Sequence, residues 1–170
     1  MRETVSAKIR PLTAAEIDIA RDMRHKMILE LDGRDADESY PGWRERYVEF
    51  YASRMANGHA ALFVAEADGC PLGVAAVYLL KNHRSEIFAR PSAYVSNVWV
   101  VPAGRRKGIA SALTRMTIEW ARAKGCEVVR LRSSRMGRPV YSAIGFTPSD
   151  EMELRLDEPE HGPPDRESRI

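Results

Sequence analysis

Residues 101–116 read VPAGRRKGIASALTRM, where a loop with three cations runs directly into an apolar helix pattern. The first helical turn contains no acidic residue, although the amino end of a helix carries partial positive charge and favours Asp or Glu. The unpaired backbone N–H groups at such an end bind phosphate well. The segment therefore predicts an anion site formed by backbone amides and by Arg105, Arg106 and Lys107.

Small residues keep this loop accessible to a ligand. Gly108 has no Cβ and allows close approach to the backbone, and Ala110 keeps the following turn small. Arg105 is able to bind an oxyanion through two parallel hydrogen bonds. The GK[ST] and GxGxxG spacings of nucleotide-binding loops are missing here. Taken alone, the loop is equally consistent with solvated cations and an incidental turn glycine.

The hydrophobic pattern around this segment predicts alternating strands and helices. We expect strands over 5–11, 93–101, 127–133 and 151–156, a hairpin over 61–80, and helices over 17–31, 43–57, 106–124 and within 137–146. This order predicts an α+β (mixed α/β) fold with a right-handed strand–helix–strand crossover. Residues 1–157 are expected to form one domain, and residues 158–170 a polar tail.

The composition excludes several functional classes. The 170 residues are 44% hydrophobic and 29% charged, which is typical of a globular domain. A net charge of +2 is too small to indicate a nucleic-acid partner. Cys70 and Cys126 are far apart and the four histidines are scattered, so we expect neither a disulfide nor a metal site. No apolar run suits a signal peptide or a membrane span, which predicts a cytoplasmic protein without a membrane partner.

Two motifs in the carboxyl-terminal half resemble those of a known family. Arg105-x-x-Gly108-x-Ala110 directly follows the strand VSNVWVVP, and three residues separate Tyr141 from Gly145-Phe146. In this order, the motifs are similar to the acyl-CoA-binding signature and the tyrosine motif of the GNAT acetyltransferase superfamily. The resemblance implies a GNAT-like fold, with a central twisted, mostly antiparallel sheet that has one splayed parallel strand pair and helices on both faces.

The resemblance implies acetyl-CoA (coenzyme A) as co-substrate, without a metal. Its pyrophosphate would bind backbone amides of residues 106–111, and its pantetheine arm would enter between the strands that contain Val98–Val101 and Val129–Leu131. Ser134 stands where relatives often have an asparagine that contacts this arm, and Arg138 either reaches a phosphate or is solvated. The implied cofactor-binding residues are Val98, Trp99, Val100, Arg105, Arg106, Lys107, Gly108, Ile109, Ala110, Ser111, Ser134 and Arg138.

Two catalytic groups are also implied by the resemblance. The backbone N–H of Val100 would stabilise the oxyanion. Tyr141 would protonate the departing thiolate, since a phenol stays protonated at neutral pH. Many family members carry Glu or Asp on the central strand, where this chain has Ser96 and Asn97. A water relay, or a substrate that arrives neutral, would replace such a base.

The implied function is transfer of the acetyl group of acetyl-CoA to a primary amine of a small molecule, by direct attack in a ternary complex. The acidic connection DGRDADES (residues 32–39) favours a cationic substrate, and its Asp37 and Glu38 are weaker candidates for a base. Two alternatives stay open: a CoA-binding sensor without turnover, and a protein N-acetyltransferase. Because relatives are commonly dimers, a homodimer is also left open.

Overall fold

The computed structural model describes residues 7–154 and residue 156. It divides into two compact units, one up to Arg132 and one from Ser133 onward. The expectation of one domain over 1–157 remains a prediction. The predicted tail over 158–170 lies outside the described residues.

A five-stranded sheet runs through the first unit in the order β1-β2-β3-β4-β5. Neighbouring strands from β1 to β4 are antiparallel, whereas β4 and β5 are parallel. The hairpin between β2 and β3 turns at Asp68 and Gly69, whose φ values of 50° and 75° suit a tight two-residue turn. The strands are β1 (Lys8–Pro11), β2 (Ala60–Ala67), β3 (Cys70–Leu80), β4 (Ser92–Val100) and β5 (Val128–Leu131).

The helices have recognisable end signals. In the first unit they are α1 (Ile17–Asp32), α2 (Ala36–Ser39), α3 (Trp43–Ala56), α4 (His83–Ile87) and α5 (Ile109–Ala123), and the second unit contains α6 (Arg138–Ile144). Gly33 ends α1 and Gly145 ends α6, both in the left-handed conformation that glycine adopts easily. Among the described residues, no helix combines the length and apolar character needed to cross a bilayer.

Helices cover both faces of the sheet, because successive strand residues point to opposite sides. On one face, Leu62 and Val64 cluster with buried residues of α1 and α3. On the other face, Phe63 and Val77 cluster with α5, whose Leu113 is fully buried. The predicted mixed α/β architecture is confirmed.

A bulge interrupts the central strand β4. Val74 pairs with Trp99 and Ala76 pairs with Ser96, so two residues of β4 lie opposite one residue of β3. Asn97 is one of these two, and its φ of 54° is a left-handed value that asparagine tolerates better than most residues. The bulge therefore turns the chain locally at the centre of the sheet.

The parallel pair opens towards the carboxyl end of β4. Pairing between β4 and β5 begins at Ser92–Val128 and ends at Val95–Leu131. β5 therefore leaves residues 96–100 of β4 unpaired on its side. The splayed pair is confirmed, but the opening lies beyond Leu131, because Val129–Leu131 are themselves paired with β4.

Several boundaries differ from the sequence prediction. The helix predicted from residue 106 begins at Ile109, because Arg106 and Gly108 have left-handed φ values of 62° and 77°. α4 replaces a predicted connection, since the Asn82 side chain accepts hydrogen bonds from two N–H groups of its first turn. The strand predicted over 151–156 is wrong: residues 151–154 and 156 are not in a strand, and Met152 and Leu154 are 92% and 83% exposed.

Candidate active site

The amino end of α5 offers exposed backbone amides. Gly108 is the N-cap of this helix, and a Cβ at this position would meet no atom within 4 Å. No side chain of the described residues caps the helix, and its first turn contains no acidic residue. Arg106 and Lys107 are exposed on the preceding loop, while Ile109 is buried and anchors the helix start. This open end, which continues through the half-buried Ala110 and Ser111, fits an anion such as a pyrophosphate.

Arg105 points to a different partner from the one predicted. Its Nη2 lies 2.6 Å from both carboxylate oxygens of Glu30, and its Nε donates to the Val100 carbonyl at 3.0 Å. The Arg105 hydrogen bonds lower the pKa of Glu30, which also accepts from Trp99 Nε1 at 2.9 Å. The guanidinium therefore ties the anion loop to α1, and a contact with phosphate remains a prediction.

The backbone of Val100 faces the opening in the sheet. Val101 N–H donates to the Leu72 carbonyl at 2.9 Å, so these two residues form a hydrogen-bonded pair. Antiparallel ladders alternate such pairs with non-hydrogen-bonded ones. The next pair, Val100 and Gly73, is therefore non-hydrogen-bonded. The N–H of Val100 consequently points away from β3, towards the side where β5 has ended, and the half-buried Val98 lies two residues earlier on the same segment.

A cavity of ≈ 470 Å³ lies between α1, α3 and the bulge of β4. On the sheet, Ser96 and Asn97 of β4 and Tyr78 of β3 line it, and aromatic side chains form much of its wall. The cavity thus meets β4 at the point where the unpaired segment begins. Its lining residues are Arg24, Ile28, Asp32, Tyr40, Trp43, Arg46, Tyr47, Phe50, Tyr51, Tyr78, Ser96 and Asn97.

The open amino end of α5, the unpaired segment of β4 and the cavity can now be compared with known proteins. The sequence model of the Acetyltransferase (GNAT) family matches residues 25–146. The chain belongs to the GNAT acetyltransferase family. It is 32% identical over 79 residues to an aminoglycoside N(6')-acetyltransferase type 1 of Klebsiella aerogenes. That match covers 46% of this chain and 51% of the relative, so the chain spans about half the length of the curated relative.

Crystal structures of GNAT proteins have the same fold. A GCN5-related N-acetyltransferase from Ralstonia eutropha JMP134 is 25% identical. Its TM-score is 0.75, and the match covers 89% of this chain and 99% of that chain. A predicted acetyltransferase from Clostridium acetobutylicum, solved with acetyl-CoA, is 21% identical; its TM-score is 0.77, and the match covers 92% of this chain and 100% of that chain. The predicted family and the GNAT-like fold are confirmed.

The cavity floor of this GNAT chain is built from amide and hydroxyl groups. Asn97 Nδ2 donates to the Ala20 carbonyl at 3.4 Å and to the Tyr47 hydroxyl at 3.0 Å. Its Oδ1 is buried and has no hydrogen-bond partner among the described residues. The hydroxyls of Tyr51 and Ser96 lie 3.1 Å apart. Burial raises the pKa of the Tyr47 and Tyr51 phenols, so each remains protonated at neutral pH.

The acidic connection does not supply a base to this floor. The Arg44 guanidinium and the Trp43 indole bind Asp37 and lower its pKa to about 2, which makes its carboxylate a weak base. The Asp35 side chain accepts from the Asp37 N–H as the cap of α2. Glu38 is exposed and is not among the residues that line the cavity. Of the described lining residues, only Asp32 carries a carboxylate, at the exposed end of α1.

One cluster of potential metal ligands lies near this connection. One ligand atom from each of His25, Asp35 and Asp37 lies within 4.8 Å of the others. Both carboxylate oxygens of Asp37 already accept hydrogen bonds from Arg44, whose positive charge disfavours a cation there. We therefore assign no metal to this cluster.

The second unit contains the other predicted site residues. Ser134 Oγ accepts from the Gly137 N–H at 3.1 Å, and the Ser134 carbonyl accepts from the Arg138 N–H at 3.0 Å. The Tyr141 ring packs edge-on against Phe146 at 5.9 Å, and burial raises the pKa of its phenol. A Cβ on Gly137 would lie 2.8 Å from Tyr141 Cε2, so glycine leaves the space that this ring fills. Cofactor and catalytic roles for Ser134, Arg138 and Tyr141 remain predictions.

The sequence prediction missed the aromatic wall of the cavity. Tyr47 and Phe50 of α3 pack against the core on this face of the sheet, whereas the Trp43 ring stacks on His25. The hydroxyl groups of Tyr47 and Tyr51 were the signal that this face also meets a polar site. A purely apolar core face rarely contains two tyrosines, because a buried phenol needs a hydrogen-bond partner.

Proposed function

We propose that this GNAT protein transfers the acetyl group of acetyl-CoA to a primary amine of a small molecule, by direct attack in a ternary complex. The observation that carries the proposal is the position of the β4 bulge. There a cavity large enough for a small molecule meets the unpaired strand segment, and the same strand leads into the open amino end of α5. The name of the Klebsiella relative supports an amine as acceptor.

The open amino end of α5 indicates which residues would hold the co-substrate. The backbone amides after Gly108 would bind the pyrophosphate, and Arg106 and Lys107 would add positive charge around it. The unpaired side of β4 would receive the pantetheine arm along Val98, Trp99 and Val100. Bound in this way, acetyl-CoA supplies a thioester carbonyl that an amine attacks.

The chain's own groups serve three needs of the transfer. The Val100 N–H, directed towards the opening, stabilises the charge that develops on the acyl oxygen; such a donor contributes on the order of 3 kcal/mol. The phenol of Tyr141 donates its proton to the departing sulfur, and its raised pKa keeps that proton available. The hydroxyls of Ser96 and Tyr51 bind the amine by hydrogen bonds, and the proton that the amine loses passes to solvent water.

A CoA-binding sensor is the second candidate, because the described residues of the cavity floor include no carboxylate that would act as a base. The experiment that separates the two mixes the protein with acetyl-CoA and a panel of primary amines, and measures free thiol. We expect release of CoA that depends on the amine and exceeds the rate without amine. CoA binding in calorimetry without thiol release for any amine would favour the sensor, and a lack of CoA binding would reject both functions.

A further inference from the structure

The charge and shape of the cavity indicate which class of amine it accepts. Of the described residues that line it, six are aromatic: Tyr40, Trp43, Tyr47, Phe50, Tyr51 and Tyr78. Two are arginines and one is an aspartate, so the charged lining carries a net positive charge. The volume of ≈ 470 Å³ lies within the usual range for small-molecule pockets, about 300–1,000 Å³.

Of the two arginines among the described lining residues, Arg24 is the less exposed. It is half-buried, and no carboxylate among the described residues forms an ion pair with it. Burial raises the pKa of the Tyr47 and Tyr51 phenols, and the charge of Arg24 opposes that rise in both. Its guanidinium therefore acts on the same hydroxyls that bond to Asn97 and Ser96. A half-buried cation without a counter-ion favours an anionic group from a ligand.

The other two charged groups among the described lining residues, Asp32 and Arg46, are exposed. Asp32 follows Arg24 by eight residues on one stripe of α1, which is about 12 Å along the helix axis. Arg46 is exposed, and its Nη1 donates to the Pro41 carbonyl at 3.0 Å. The Asp37 carboxylate is already neutralised by Arg44. A ligand with several ammonium groups would thus meet Arg24 at the floor and few carboxylates around it.

We infer that the acceptor is an amine that carries a carboxylate close to the amino group and an aromatic or apolar body, as in the amino-acid class. This inference rests on the proposed function of the same site. The carboxylate pairs with Arg24, and the aromatic walls enclose the body. The ammonium form can also rest on an aromatic face before it loses its proton. This class differs from the cationic substrate that the acidic connection favours in the sequence.

Matched pairs of compounds test this class. Each pair consists of an amino acid (phenylalanine, tyrosine, tryptophan, leucine or methionine) and its decarboxylated amine, with spermidine and kanamycin as polycations. The readouts are kcat/KM from thiol release with saturating acetyl-CoA, and Kd from calorimetry on the CoA-loaded protein. We expect the amino acid to exceed its decarboxylated partner by about 10- to 100-fold in the best pair, the range for a charge-assisted hydrogen bond. Polycations should be the poorest ligands.

An Arg24 variant distinguishes recognition from folding. Arg24→Gln should lower kcat/KM for the best amino acid by the same 10- to 100-fold and change that of its decarboxylated partner less than 3-fold. Lys26→Gln is the control, because Lys26 is exposed on α1 and does not line the cavity. Equal losses for both compounds of a pair, or stronger binding of the polycations, would overturn the inference. Carboxylate-dependent binding without turnover would reject the transfer reaction but support the ligand class. If neither carboxylate-dependent binding nor turnover is seen, both the proposed function and this inference are rejected.

Discussion

Replacement of Gly108 by alanine separates the two roles that this residue has at the start of α5. The backbone there is left-handed, with φ of 77°, and a Cβ would meet no protein atom within 4 Å. The left-handed backbone destabilises a folded protein by about 1–2 kcal/mol when the residue has a Cβ. Alanine also restricts the unfolded chain, which offsets about 0.4–1 kcal/mol of this loss. We therefore expect Gly108→Ala to lower the free energy of unfolding by about 1 kcal/mol.

The same Cβ would occupy space beside the amides that are proposed to bind the pyrophosphate. An amide hydrogen bond to a charged group contributes about 1.5–3 kcal/mol. Loss of one such bond would weaken CoA binding by about 10- to 100-fold. The measurement is the Kd for CoA from calorimetry, together with urea unfolding of the CoA-free protein.

Gly125 provides a matched control at the other end of α5. Its φ is 71°, and a Cβ there would likewise meet no atom within 4 Å. Gly125→Ala should therefore reproduce the loss of stability, with CoA affinity unchanged. Equal CoA affinities for the two variants would refute the assignment of the phosphate-binding amides, whatever their stability. A far larger loss of stability in Gly108→Ala alone would mean that the two backbones are not equivalent.

Three further predictions concern chemistry, stability and pH. Tyr141→Phe removes only the phenolic proton, so kcat should fall about 100-fold with CoA affinity retained in calorimetry; an unchanged kcat removes Tyr141 from the reaction. Asn97→Ala removes the buried donor to the Ala20 carbonyl and places alanine at φ of 54°, so urea unfolding should show a loss of about 2–3 kcal/mol. Asn57→Ala, which removes an exposed side-chain bond to a helix carbonyl, should lose less. The folded pKa of Asp37 is about 2, against an ordinary value of 3.8. The stabilisation of the folded state by its carboxylate is therefore present above about pH 4 and is lost as the pH falls towards 2. Thermal unfolding from pH 5 to 2 should show this loss, and Asp37→Asn should reduce it; an identical acid profile for that variant would contradict the assignment.

The carboxyl-terminal half of the first unit was predictable because local patterns dominate there. The apolar runs of β4 and the amphipathic stripe of α5 each match one period, and Gly108 and Gly125 mark positions that require left-handed backbone. The proposed anion site is argued from the same local features. The strand and the helix of this half were accordingly predictable from local patterns, whereas the family was implied by the resemblance of the motifs.

Features that depend on contacts distant in sequence were not predictable. Arg105 forms its ion pair with Glu30, which lies 75 residues away, and no local pattern indicates that partner. The alternation in EMELRL predicted a strand, but a strand also requires a neighbouring edge, and Met152 and Leu154 remain exposed. The sign of the cavity charge depends on which side chains α1 and α3 direct into the same space. The acidic connection alone, which favoured a cationic substrate, does not indicate that sign.

Asn97 explains why a carboxylate is poorly suited to the centre of this site. The residue is 6% exposed, and its amide nitrogen donates both to the Ala20 carbonyl and to Tyr47. An aspartate in its place would set a carboxylate oxygen against that carbonyl oxygen, and burial would favour its protonated form. The bulge thus requires a hydrogen-bond donor at this position. In the proposed reaction the amine proton would consequently leave to solvent water, so the rate should follow deprotonation of the amine itself.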